Sequence, residues 1–117
     1  MTEIRKEVNT SLFLYCCPGV MLLFAVAGVR QLVLIGVHTN PRDAVTEMEA
    51  LVDVHSAVKR RWNTDDIFIM GDLNADCTYA SDSDLRSLRL RTDRRFTWLI
   101  GDDDDTTTTR TDCAYDR

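Results

Sequence analysis

The feature that most constrains the fold is a strand–helix–strand pattern in the middle of the chain. Residues 31–37 (Gln-Leu-Val-Leu-Ile-Gly-Val) form a continuous apolar, β-branched run. Such a run reads as a central strand covered on both faces. His38-Thr39-Asn40-Pro41 follows it. Thr39 or Asn40 suits a helix N-cap, and Pro41 the first helical position. Ala44, Val45, Met48, Leu51, Val52, His55, Val58 and Trp62 then recur at helical spacing and form one apolar stripe. Asp43 and Glu47 lie in the early turns, and Lys59, Arg60 and Arg61 in the last, which complements the helix dipole. Asn63-Thr64-Asp65-Asp66 stops the helix, and residues 67–70 (Ile-Phe-Ile-Met) are the second strand. Short links predict neighbouring strands joined by a crossover. That topology sets His38 and Asp72 at corresponding strand ends, where sites gather in such sheets.

The second strand runs into Gly71-Asp72-Leu73-Asn74-Ala75-Asp76-Cys77. Asp72 and Asn74 are two residues apart, so an extended backbone points both the same way. A carboxylate and a neutral amide are the pair a metal-assisted phosphate site needs: one for a hard cation or a catalytic His, one for a phosphate oxygen. The same residues also suit a strand end closed by an Asx turn. Further on, residues 85–90 read as a mixed segment with one helical turn, and residues 96–100 as a third strand. Residues 101–111 read as a polar loop rich in Asp and Thr. Residues 113–117 (Cys-Ala-Tyr-Asp-Arg) read as a strand cut short. No internal repeat is present.

The chain of 117 residues is long enough for one domain with a real core. A net charge of −5 excludes a global basic field, so nucleic-acid binding needs a local patch or bound cations. Arg86, Arg89, Arg91, Arg94 and Arg95 lie after the Gly-Asp-x-Asn turn, and most read as solvated surface. Four cysteines occur, at 16, 17, 77 and 113. None has the spacing of a zinc site. If Cys77 and Cys113 pair, the closed loop contributes roughly 4 kcal/mol, and a bridge implies an oxidising compartment.

Residues 1–28 differ in character from the rest of the chain. A weakly basic start leads into an apolar stretch over residues 12–28, in which Ala25-Val26-Ala27 fits the small-x-small pattern of a signal cleavage site. Pro18-Gly19 interrupts a run near the length of a membrane span. Three readings stand: a signal peptide, a buried segment, or a stretch foreign to the domain. No stable membrane partner is expected unless residues 12–28 span a bilayer.

Several pieces, in order, resemble one family. They are Leu-Val-Leu-Ile-Gly-Val-His-Thr-Asn-Pro, the helix ending Lys-Arg-Arg-Trp, Gly-Asp-Leu-Asn-Ala-Asp-Cys, Leu-Arg-Leu-Arg-Thr-Asp, Trp-Leu-Ile-Gly-Asp, and Asp-Thr-Thr followed by Cys-Ala-Tyr-Asp-Arg. Residues 29–117 look like the central to later part of a deoxyribonuclease I family domain, nearer the gamma-type members, within the endonuclease/exonuclease/phosphatase superfamily. The resemblance implies an α/β (α+β) fold, part of a four-layer αββα sandwich with mixed sheets, truncated at both ends. It implies cleavage of double-stranded DNA, held through its phosphate backbone, with Ca²⁺ and Mg²⁺ (Mn²⁺ as a substitute).

Residue by residue, the resemblance implies that His38 contacts the scissile phosphate as general acid, a task suited to an imidazole near neutral pH. It implies that Asp72 lies near the metal, that Asn74 binds the phosphate, and that Asp116 orients a second, general-base His. Asp105, Thr107, Thr109 and Thr111 match a Ca²⁺ site, whose oxygen donors suit that hard ion. Cys77 and Cys113 match a structural disulfide. The location implied is secreted or secretory, or nuclear as for gamma-type relatives. The family pattern also includes a metal-binding Glu, a Glu partner for His38 and the second His, none of which this sequence matches. The chain alone is therefore expected to be catalytically weak or inactive, with one sheet face bare. Two other functions fit: an incomplete paralogue that binds a partner through that face, and a phosphoesterase of the same superfamily acting on a phosphoinositide or another phosphoester.

Overall fold

The computed structural model describes residues 16–17, 20–27 and 30–117, with side chains from Leu32 onward. The start of the signal-like segment, residues 1–15, lies outside the described residues. The described chain is a mixed α/β unit. Strands β1 (Cys16–Cys17), β2 (Val20–Ala27), β3 (Arg30–His38) and β4 (Ile67–Asp72) form one sheet in that order. β1 and β2 run antiparallel, as do β2 and β3, whereas β3 and β4 are parallel. Helix α1 (Ala44–Trp62) makes the crossover between the parallel pair. No described helix is long and apolar enough to cross a membrane.

β3 departs from the expected strand covered on both faces. Val33, Ile35 and Val37 are buried, and they form the core with Met48, Leu51, Val52 and Val58 of α1. Each such side chain, fully buried, is worth about 1.5 to 3 kcal/mol. The alternate residues Leu32, Leu34 and Gly36 are only half-buried. On β4 the same alternation leaves Phe68 and Met70 nearly half exposed. α1 covers one face of the parallel pair, and among the described residues nothing comparable covers the other.

The start of α1 also differs from expectation: the N-cap is Asp43, not Thr39 or Asn40. The Asn40 side chain accepts from Arg42 N at 3.0 Å, and its carbonyl accepts from Asp43 N at 2.9 Å. That turn takes up residues 40–43, and Pro41 supplies its fixed φ to the turn instead of to the helix. The end is as expected. Asn63 takes the left-handed conformation (φ 50°), and its N–H closes on Lys59 O at 2.8 Å.

Residues 85–90 belong to two short helices, α2 (Asp82–Ser87) and α3 (Arg89–Thr92), not one turn. Ser81 and Asp84 form a capping box at the start of α2. Extended Leu88 (ψ 127°) separates the helices. Leu85, Leu88 and Leu90 are all buried, and one continuous helix would send positions 88 and 90 to opposite sides. The break lets all three reach the core.

Residues 96–100 are not a strand. They alternate in exposure as a strand does, with Leu99 76% exposed, but among the described residues they have no ladder partner. Their inward side chains are held one at a time. Phe96 meets the His55 ring edge-on, and Trp98 Nε1 donates to Leu90 O at 3.0 Å. Residues 113–117, read as a strand cut short, contribute one antiparallel bridge beside the end of β4, pairing Asp116 with Asp72.

Candidate active site

Three neighbouring segments deliver one residue each to the same rim. In the parallel register His38 lies opposite Asp72, and in the antiparallel bridge Asp72 lies opposite Asp116. Paired positions present their side chains on the same face, so the three form a row across the sheet, on the face that α1 does not cover. His38 Nε2 lies 3.8 Å from Asp72 Oδ2. That is an ion-pair distance, not a hydrogen bond. The His38 side chain is 78% exposed and that of Asp72 40%, so the row opens to solvent.

The backbone explains why the row forms. Gly71 has φ +132°, and a Cβ there would stand 2.1 Å from Val37 O. Only glycine allows β4 to lie this close to β3 just before Asp72. On the other edge of β4, Gly71 N donates to Arg117 O at 3.1 Å, Arg117 N to Gly71 O at 3.0 Å, and Leu73 N to Tyr115 O at 3.0 Å. A disulfide between Cys77 and Cys113, with Cα atoms 6.0 Å apart, ties the two segments together. Asp76 reinforces the tie by accepting from Ala114 N at 2.7 Å and Cys77 N at 2.6 Å. Asp76, Cys77 and Cys113 lie close enough to suggest a metal group. Their sulfurs are bonded to each other and the carboxylate is engaged, so the cluster is a structural knot.

The turn reading of Gly-Asp-x-Asn is what the backbone adopts. Asp72 Oδ1 accepts from Asn74 N at 3.0 Å, an Asx turn, and Asn74 takes φ 47°. The turn leaves Asp72 Oδ2 facing His38. Asn74 itself is buried, 5% exposed, and its Nδ2 donates to Thr39 O at 3.0 Å and to Thr39 Oγ1 at 3.3 Å. Its amide locks the end of β3 to the turn after β4 instead of lying open to solvent.

The Asp-Thr loop closes on itself. Asp105 Oδ1 accepts from Thr107 N (2.9 Å), Thr107 Oγ1 (2.7 Å) and Cys113 N (3.3 Å). The Thr109 and Thr111 hydroxyls lie 2.7 Å apart, and Thr107 Oγ1 also lies against Thr111 O. The Thr107 contacts hold the Asp105 carboxyl below its usual range. Thr106 Oγ1 accepts from Asp116 N at 3.1 Å, which connects the loop to the row. The loop therefore gathers carboxylate, hydroxyl and carbonyl oxygens, the donor set of a hard cation. At the rim, Asp72 keeps one outward oxygen, which suits a cation held by one carboxylate plus water and substrate oxygens.

Three contributors were not evident in the sequence. Thr39, 1% exposed, is the partner of Asn74. Tyr115 packs on Tyr79 with centroids 5.5 Å apart, and burial, followed by the charges of Tyr79, Asp76 and Asp72, pushes its phenol up. Arg117 is almost enclosed. It donates to Ile100 O, Gly101 O and Ala75 O, pairs with Asp102 at 3.1 Å, and lies over Trp98. Arg91 stacks over Trp98 too and binds Asp102 with both terminal nitrogens at 2.6 Å. Arg89 pairs with Glu49 and Arg95 with Asp93. These cations are therefore engaged internally and do not form a free basic patch.

Comparison with known proteins identifies the family. A sequence model of the Endonuclease/Exonuclease/phosphatase family matches residues 2–117. The chain is 47% identical over 89 residues to deoxyribonuclease-1 of Bos taurus, covering 76% of this chain and 32% of that protein. It is 51% identical over 88 residues to deoxyribonuclease-1-like 2 of Mus musculus, covering 75% and 32%. It is 48% identical over 90 residues to deoxyribonuclease gamma of Homo sapiens, covering 76% and 30%. The chain thus spans about a third of the length of these curated relatives. Its matched length, its mixed α/β sheet and its rim at the parallel strand ends lead to one conclusion: the chain belongs to the endonuclease/exonuclease/phosphatase family.

Proposed function

We propose that the row His38–Asp72–Asp116 is the phosphodiester-cleaving rim of a divalent-cation-dependent DNA endonuclease, of which this chain carries the central to later part. The observation that carries the reading is the in-register alignment of an imidazole and two carboxylates across three adjacent segments. The names of the relatives favour DNA over other phosphoesters.

In this reading His38, the most exposed member, gives its proton to the leaving oxygen. Asp72, its Oδ1 taken by Asn74 N, faces that imidazole through Oδ2, the oxygen that would turn to a cation when one binds. Asn74 acts from beneath the rim: its buried amide, bonded to Thr39, fixes the turn that presents Asp72. A divalent cation, when bound, supplies positive charge to the phosphate oxygens and orients the attacking water. Mg²⁺ at Asp72 and Ca²⁺ at the Asp105–Thr111 loop are the ions we assign. With a net charge of −5 and the neighbouring arginines engaged, cations must offset much of the repulsion between chain and DNA. The disulfide supports a secretory or extracellular location.

The sequence has two histidines, and His55 is buried on α1. Among the described residues the rim carries one imidazole, to which this reading gives the role of acid. The expected outcome of a plasmid-nicking assay in Ca²⁺ and Mg²⁺ is weak cleavage by the 117-residue chain. His38→Ala should lower that residual rate by about a hundredfold or more, the usual contribution of a positioned acid. Nicking unchanged by both His38→Ala and Asp72→Ala would refute the assignment. A second reading, a partner-binding paralogue, is favoured by the exposure of Phe68 and Met70 on the uncovered face. Stable Ca²⁺ protection against unfolding without any nicking would select it.

A further inference from the structure

His55 takes no part in the rim, yet it is one of the few polar groups enclosed in the core. Its ring is 7% exposed and meets Phe96 edge-on, with centroids 4.7 Å apart and planes at 68°. Its Nδ1 is buried without a hydrogen-bond partner. Arg95 is fixed beside it, paired with Asp93 at 2.6 Å and donating to Ser56 Oγ on α1 at 3.3 Å. Phe96 and Arg95 begin a segment, residues 95–100, that forms one wall of an apolar cavity of about 550 Å³; residues 67–70 of β4 form the other.

We propose that His55 is a pH-sensitive latch for that wall: its neutral ring holds residues 93–100 against α1, and its protonation releases them and opens the apolar cavity beside β4. A neutral imidazole packs on Phe96 as an aromatic ring. A protonated one carries an N–H on both nitrogens, so Nδ1 becomes a buried donor with nothing to accept it, on a ring that has also gained a charge. The charged groups facing it are Lys59 on α1, Arg95 and Asp93 on the segment, and Asp65 in the turn before β4. Burial is the largest influence holding the imidazole below its ordinary range, followed by Arg95 and then Lys59; Asp93 and Asp65 oppose them and are outweighed.

The sign is set by linkage. The unfolded chain takes up the proton first as pH falls below about 6.5. Stability is therefore full above that pH, declines as pH falls toward the lower folded value, and is flat beneath it. Asp93, held at about 2 by Arg95, remains ionised through this window. The other carboxyls shifted by their partners, among them Glu49 and Asp102, move downward and also stay charged. A change between about pH 7 and pH 5 is therefore separable from acid unfolding.

The test uses the whole chain, its His55→Phe and His55→Tyr variants, ring-proton NMR of His55, and the dye anilinonaphthalene sulfonate as probe of apolar surface. Both variants keep an aromatic ring against Phe96 and remove the titration. The expected result is that His55 titrates below the free-imidazole value. Dye fluorescence of the parent rises several-fold along the same curve while that of the variants stays flat. The NMR titration needs only the parent, so it decides even where a variant fails to fold. His55 titrating at or above the ordinary value, a dye rise that persists in a folded variant, or no rise in the parent would each overturn the latch.

Discussion

Replacing Gly71 by alanine is expected to destabilise the chain by about 2 to 5 kcal/mol, the sum of backbone strain at a positive φ and a forced displacement in a packed region. The added methyl would stand 2.1 Å from Val37 O and 3.0 Å from Val37 N, and both are backbone atoms of the neighbouring strand. A flexible side chain can swing aside, but a strand in a ladder cannot. β3 and β4 must separate where His38 pairs with Asp72, or Gly71 must abandon its two hydrogen bonds with Arg117. Either way the rim loses its register. Urea unfolding of Gly71→Ala beside the parent checks the magnitude. In any fraction that still folds, NMR should show the His38 ring no longer near Asp72. A loss below about 1 kcal/mol would fall in the range of ordinary surface substitutions and contradict the close packing described.

The second large effect is expected from opening the Cys77–Cys113 bridge. The bonded residues are 36 apart, and the chain-entropy estimate for a loop of that size is about 4 kcal/mol. The structural consequence is more specific than the number. Without the bridge, residues 113–117 are held beside the end of β4 by three backbone bonds with Gly71 and Leu73, and to the neighbouring loops by Asp76 and the Arg117 side chain. Asp116 reaches the rim on this segment. Reduction, or the double variant Cys77→Ser/Cys113→Ala, should therefore lower the urea midpoint. It should also raise hydrogen exchange at Leu73, Ala114 and Asp116 before α1 and β3 respond. Uniform acceleration throughout the chain would show that the bridge stabilises the fold as a whole instead of this corner.

The parts of the fold that were legible in the sequence are those whose signal is periodic and local. The apolar stripe from Ala44 to Trp62 and the runs of β3 and β4 each need only their own residues to declare themselves, and their order places His38 and Asp72 at one edge. What was not legible depends on partners distant in sequence. Residues 96–100 alternate like a strand, but a strand also needs a neighbour, and Phe96 and Trp98 find the helices α1 and α3 instead. Asn74 looks like an open donor until its partner Thr39, 35 residues away, is seen. Arg117 gives no local sign of its partners, yet Trp98, Asp102 and three carbonyls enclose it. At Gly-Asp-x-Asn the structural and functional readings competed in the sequence; the structure shows the Asx turn, and that turn leaves Asp72 Oδ2 facing His38.

Whether Asp72 and His38 share one cation-assisted site is decided most directly by Mn²⁺ titration followed by NMR of the two histidine rings. Mn²⁺ broadens signals near the ion it replaces, and His55, enclosed on α1, serves as the internal reference. The prediction is that His38 broadens at low Mn²⁺ while His55 stays sharp, and that Asp72→Asn removes the effect. Broadening of His55 first, or of His38 equally in Asp72→Asn, would contradict a metal-assisted rim at the ends of β3 and β4.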